Sequence, residues 1–211
     1  MMSFNNAFAK IITFDGLAGT NMSGATVVSP GLYTEFYDGI PATIDGFNFV
    51  TSGMSQYILG TAWSDSDSSS IAWNGTDYQI INGLTDGISI NQANGGAFSL
   101  NSLDMANWDD TIPGIYISVT GNFMNGGSIN EKIPVSNSLN SVIQDGNDFT
   151  HYTFTGFNNL SSLNISYYGN YKLAIDNINV SAVPEPESYA MLLAGLGLLG
   201  FMARRRKKSA A

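Results

Sequence analysis

Ile115-Tyr116-Ile117-Ser118-Val119 decides the fold of this chain. Branched apolar residues alternate there with Tyr116 and Ser118, the period-two pattern of a strand in the middle of a sheet. Gly126-Gly127 then turns the chain back toward Ile133. Working outward, residues 97–103 alternate cleanly, residues 149–157 alternate as well, and residues 171–180 read as the last strand of the body. Residues 10–15 read as the first strand and 32–37 as a short one ending at Asp38-Gly39. Residues 42–51 read as a strand with a bulge at Gly46, and 56–63 and 163–168 as further strands. Residues 71–81 break at Asn74-Gly75, a hairpin turn pair. Residues 16–30 and 82–96 read as connections rich in turn residues, and 64–70 as a polar loop. No helical periodicity of useful length precedes residue 189. Ten to twelve short strands spaced by turns therefore make residues 11–181 an all-β, jelly-roll-like β-sandwich.

Composition narrows the chemistry. Without its tail the 211-residue chain still holds enough residues for one domain with a real core. Cysteine is absent, so packing or a bound ion must supply the stability that disulfides give many exported domains. Before residue 189 lie all 17 acidic residues and only three cations, Lys10, Lys132 and Lys172, a formal balance of −14. That charge opposes nucleic acids and anionic membranes as partners of the body. Divalent cations and neutral glycans are compatible with it.

The tail is of a different kind. Val183-Pro184-Glu185-Pro186-Glu187 is followed by an uncharged run over 189–203 and then by Arg204-Arg205-Arg206-Lys207-Lys208. Each proline fixes its own φ and pushes the residue before it out of the helical region, so 182–188 reads as an extended, exposed linker. The apolar run spans about 22 Å as a helix, short of the roughly 30 Å hydrocarbon core. Snorkelling of Arg204 and local thinning cover the deficit. The run reads as a single short transmembrane helix, with the cationic end, 204–211, left in the cytoplasm. Residues alone leave two alternatives open: a permanent membrane anchor, or a helix buried in a core.

Pro184-Glu185-Pro186, a short apolar helix and the arginine cluster Arg204 to Arg206, in that order, resemble the PEP-CTERM sorting signal of Gram-negative bacteria, also known as the ice-binding protein C-terminal motif. The resemblance implies that the exported precursor is held in the inner membrane. It further implies that an exosortase-type membrane transpeptidase recognises Pro184, Glu185 and Pro186 and removes the helix, with Arg204, Arg205 and Arg206 as the stop. The mature protein would reach the cell surface or extracellular matrix, in a setting of exopolysaccharide and biofilm. The logic parallels lipid-anchor signals in which the hydrophobic tail is a removable address.

The stretches 12–17, 154–160 and 174–178 also resemble pieces of the ectodomains of that family and of jelly-roll carbohydrate-binding modules. In such modules the first and last strands pair, and an aspartate near the end helps hold a structural calcium. That resemblance makes Asp176 a candidate calcium ligand with Asp15 as partner. The alternative is hydrogen bonding at a turn and a strand end. Asp65-Ser66-Asp67 opens like a calcium loop but lacks the glycine and glutamate that an EF-hand requires further on.

Enzyme chemistry finds little purchase. One histidine, His151, and no cysteine exclude Cys-His catalysis and the usual zinc sets. No serine sits in a nucleophile elbow that could serve His151. A paired-carboxyl glycosidase stays open, because aspartates are plentiful. Trp108 and Trp63 are candidate sugar-stacking residues, with core packing as their alternative role. The reading is a non-catalytic exported protein, with a glycan-binding lectin and a glycoside hydrolase as the other classes.

Residues 1–10 carry no cationic or long apolar stretch, yet Ala7-Phe8-Ala9 has the spacing of a signal-peptidase site. Two readings stand: the remnant of a signal peptide whose start lies upstream of Met1, or a chance match in a polar leader. An in-frame stop codon directly upstream would rule out the first.

Overall fold

The computed structural model describes residues 9–23, 25–29, 33–36, 39–51, 56–59, 74–82, 87–107, 116–134, 149–167, 172–183 and 193–197. Among them are fourteen strands: β1 (Ala9–Ile12), β2 (Ala25–Ser29), β3 (Tyr33–Phe36), β4 (Ala42–Ile44), β5 (Phe47–Thr51), β6 (Gln56–Leu59) and β7 (Tyr78–Asn82), followed by β8 (Gly87–Gln92), β9 (Phe98–Asn107), β10 (Tyr116–Phe123), β11 (Ser128–Pro134), β12 (Thr150–Thr153), β13 (Leu160–Tyr167) and β14 (Lys172–Ala182). The described body is all-β.

The strands form a sandwich-like arrangement. One layer runs β2-β3-β6-β7-β14-β9-β12, with β1 on the same edge of β14 as β7. The other runs β11-β10-β13-β8-β5-β4. A single register pair, Leu160 opposite Phe98, joins the two among the described residues. The expected pairing of first and last strands is present, from Ile12 opposite Ile178 to Ala9 opposite Ser181.

Alternation builds the core between the layers. Ile88 and Ile90 on β8, Ile117 and Val119 on β10, and Leu163 and Ile165 on β13 are all buried. Their alternating neighbours are half-buried polar residues. Edge-to-face phenylalanines bridge the layers: Phe14 with Phe49 at 5.7 Å, and Phe47 with Phe98 at 5.4 Å. This geometry adds to what area burial alone contributes. At the crossing from β12 to β13, Phe154 N–H donates to Asn101 O and Leu100 N–H to Phe157 O, so the connecting loop is tied along β9.

Two segments expected as connections contain strands. β2 lies inside 16–30 and β8 inside 82–96. In β8 the alternation Ile88-Ser89-Ile90-Asn91 is real but brief, and the turn residues on both sides mask it. Gly46 is not a bulge. Asp45 and Gly46 take φ of 56° and 85° and join β4 to β5, so 42–51 is a tight hairpin rather than one strand.

The outward face of the second layer is a lattice of short polar side chains. Across the strands run Ser128, Asn122 and Ser162 in one row, and Asn130, Thr120, Asn164 and Ser89 in the next. A third joins Lys132, Ser118 and Ser166.

Gly87 sets the spacing inside this layer. A Cβ there would lie 2.1 Å from the backbone oxygen of Ile165 on the paired strand. Gly87→Ala must push β8 away from β13 and is expected to destabilise by about 1–3 kcal/mol. A thermal melt checks this, and an unchanged midpoint would contradict it.

Candidate functional site

Asp176 sits where β14 loses register with β9, between Asp176 and Asn179. Asn177 there takes φ of 50°, a left-handed conformation that asparagine tolerates better than most residues. The irregularity aims Asp176 away from the inter-layer core but under the chain at 74–77. It is 1% exposed. Its Oδ1 accepts from Asn177 N–H at 2.7 Å. Its Oδ2 accepts from Asn74 Nδ2 at 2.7 Å and Thr76 Oγ1 at 3.0 Å. Asn74 is itself fixed, because its Oδ1 accepts from Thr76 N–H at 3.1 Å. The bend at 75–76 thus presents the donors of Asn74 and Thr76 to Asp176, while residues 71–73 of the expected hairpin lie outside the described residues.

The network continues across the sheet. Asp104 stands opposite Asp176 in register, and like charges so placed repel. Asn177 Nδ2 donates to Asp104 Oδ2 at 2.9 Å, and His151 Nδ1 lies 2.6 Å from Asp104 Oδ1. His151 is exposed, at the strand position directly across from Asp104. Burial pushes the Asp176 carboxyl up from the ordinary 3.8 to about 6. The bonds from Asn177, Asn74 and Thr76 pull it part of the way back, and the charge of Asp15 adds to the rise.

The sign of the pH effect follows. The folded state holds a proton on Asp176 that the unfolded chain releases near 3.8. Its contribution to stability is therefore greatest below that value, falls as pH rises through about 6, and is flat above. Between pH 5 and pH 7 the wild type should lose about 1 kcal/mol relative to Asp176→Asn. Denaturant titrations of both proteins at the two pH values test this. Identical pH dependence would contradict it.

Asp15 and Asp176 are the two residues that the resemblance offers as calcium ligands. Asp15 is exposed and Asp176 buried, and the charge of Asp15 raises the Asp176 carboxyl. Asn74, however, turns N–H groups and not its oxygen toward Asp176. Among the described residues no group of three or more His, Cys, Asp or Glu could hold a metal ion. Calcium takes six to eight oxygen ligands, so Asp15 and Asp176 would hold an ion only together with oxygens from other groups.

The sequence named Asp176 through the resemblance, as a calcium ligand with Asp15, and did not name the hydrogen-bond network of Asn74, Thr76, Asp104 and Asn177. Asn74 and Thr76 carried a signal, since an asparagine two residues before a threonine is the Asx-turn spacing. Asp104 and Asn177 carried none, because only the register brings them together. Trp63, Trp108, Pro184, Glu185, Pro186 and Arg204 to Arg206 lie outside the described residues.

The end of the body is well anchored. β14 pairs with β9 as far as Ala182, and Val183 N–H donates to Ala97 O at 2.9 Å. Residues 193–197 are helical, and Leu193 and Leu196 are exposed, unlike leucines of a core helix. Among the described residues no helix is long and apolar enough to cross a membrane.

Comparison with known proteins gives one sequence match and several distant structural ones. No curated protein matches the chain. A carbohydrate binding module of family 29 shares 14% identity, with 84% of this chain and 89% of that one covered, at a TM-score of 0.37. The N-terminal endo-1,4-beta-D-xylanase 10B of Clostridium thermocellum, solved with xylohexaose, shares 12% identity over 83% of this chain and 28% of that one, at a TM-score of 0.38. The K2 cleaved adhesin domain of Lys-gingipain shares 13% identity over 82% and 97%, at 0.31. Likenesses this distant carry no argument about ligand or activity. The family model for the PEP-CTERM protein-sorting motif matches residues 182–207, beginning at the final residue of β14. This chain thus carries a PEP-CTERM protein-sorting motif at residues 182–207.

Proposed function

We propose that this chain is an exported, non-catalytic surface or extracellular-matrix protein whose C-terminal segment is a removable sorting signal. The observation that carries the reading is the motif at 182–207, with its Pro-Glu-Pro handle, apolar run and arginine stop in order. An exosortase-type membrane transpeptidase is the partner that such a motif serves, with the inner membrane holding the precursor through residues 189–203. The fold supports the division of labour. The motif begins where the last sheet hydrogen bonds end, so a cut beyond Val183 would leave every described strand in place. Membrane fractionation with and without the processing enzyme tests the reading. The chain should accumulate in the membrane only when the enzyme is missing. Equal release from both strains would refute it.

The buried position of Asp176, closed over by Asn74 and Thr76, supports a structural rather than a catalytic role for this carboxyl. Stacking of a glycan on Trp108 and Trp63 is a second proposal, and loss of glycan-array binding in Trp108→Ala would support it. A hydrolase would require two carboxyls in an open cleft, with one accessible to substrate. A structural calcium at Asp15 and Asp176 is a third proposal, which rests on the like charge an ion would neutralise. It requires the Asn74 amide to turn. Calcium at millimolar concentration should then raise the melting temperature of the wild type and not of Asp176→Asn, and an equal response in both would exclude it.

A further inference from the structure

We propose that the outward face of the β11-β10-β13-β8 layer is a docking surface for a neutral, hydroxyl-rich polysaccharide. This surface requires only the folded body and does not depend on the sorting reading.

The face departs from an ordinary sheet exterior in its charge. Soluble surfaces are about 25–35% charged residues. Here the rows on β10 and β13 read Ser118, Thr120 and Asn122 against Ser166, Asn164 and Ser162. None of the outward rows on these strands carries a carboxylate, although the chain holds 17 acidic residues. The one cation in the rows, Lys132, lies over the Tyr116 ring at 4.6 Å. Rows so placed repeat about 4.8 Å across the strands and about 7 Å along them, which gives a two-dimensional lattice of donors and acceptors.

The side chains are also held in place. Asn130 Nδ2 donates to Ser118 Oγ at 2.6 Å and to Thr120 Oγ1 at 2.7 Å. Asn122 Nδ2 donates to Ser162 Oγ at 2.9 Å. Short side chains fixed by mutual bonds lose little freedom when a ligand arrives. Ser118, Thr120, Asn122, Ser162, Asn164 and Ser166 are half-buried and Ser128 and Asn130 exposed, so part of each side chain stays open to a ligand.

Three considerations select the occupant. An anionic polymer would meet a body of formal charge −14. A protein partner would require aromatic or arginine anchors, and the central rows have none. A neutral polysaccharide matches a neutral lattice of hydroxyls and amides, and its repeats convert weak single contacts into avidity.

The test is affinity electrophoresis of the full-length chain in a detergent without a sugar headgroup, through native gels containing dextran, xylan, mixed-linkage β-glucan or anionic alginate. Retardation is expected in at least one neutral gel and not in alginate. Asn122→Asp with Asn164→Asp adds charge without adding volume and should weaken the retardation about tenfold, or 1.4 kcal/mol. Thr120→Val, which keeps the shape and removes the hydroxyl, should weaken it several-fold. Ser99→Asp on the other layer should not. Thermal melts establish that each variant is folded. Absence of retardation in all three neutral gels would overturn the proposal, as would retardation indifferent to the face variants. Self-association in sedimentation that the same variants abolish would assign the face to a second copy of this chain instead.

Discussion

Replacing Pro184, Glu185 and Pro186 together with alanine is expected to leave the chain in the membrane with its tail attached. Each proline fixes its own φ and pushes the residue before it out of the helical region, so the handle proposed for recognition reads from its sequence as extended. Alanine is the best helix former, so the substitution removes the sequence's bias toward an extended handle. Glu185 adds a charge that a processing enzyme can read. Loss of both shape and charge should reduce the processed fraction at least about tenfold, as ~1.4 kcal/mol of lost recognition would. Immunoblots of membrane and released fractions measure it. The melting temperature of the body should not change, because these residues follow the last described sheet contacts. Normal processing of the triple variant would show that the enzyme reads something other than this handle.

The second large effect is on stability. Asp176→Ala should cost about 2–4 kcal/mol near neutral pH, measured by denaturant titration. It strands three donors, the Asn177 N–H, the Asn74 amide and the Thr76 hydroxyl, in a site that is 1% exposed. Each unmet buried donor costs about 1–3 kcal/mol. Against this stands relief from burying an ionised carboxylate whose pKa is raised to about 6. That relief is roughly 3 kcal/mol at most and vanishes once the group is protonated. The loss should therefore be larger at pH 5 than at pH 7. A variant as stable as the wild type at both values would mean that Asp176 does not hold 74–77 against the sheet.

Much of this fold was readable from side-chain alternation. The strand through Ile117 and Val119, its return through Ile133 and the closing strand through Ile175 and Val180 lie where the pattern put them. β2 was not readable, since Ala25-Thr26-Val27-Val28-Ser29 lacks a clear period and is surrounded by glycine, serine and asparagine. β8 is short enough for its flanking turns to dominate. The hairpin at Asp45-Gly46 had the right residues and was read as a bulge, a choice between two uses of the same left-handed glycine.

The site divided along the same line. Asp176 was singled out by the resemblance alone, as a candidate calcium ligand. That Asn74 and Thr76 would close over it is a contact across some hundred residues, which no local pattern encodes. The lattice on the second layer was present in the sequence only as serine and asparagine alternating with isoleucine. Its meaning emerged once register set those residues side by side.

The central claim is that residues 182–207 are a signal to be removed and not a permanent anchor. Intact-mass measurement of the protein recovered from its native host tests this most directly. The account predicts a mature chain that lacks everything after about residue 188, recovered outside the inner membrane. A full-length chain ending at Ala211 and retained in the membrane would contradict it.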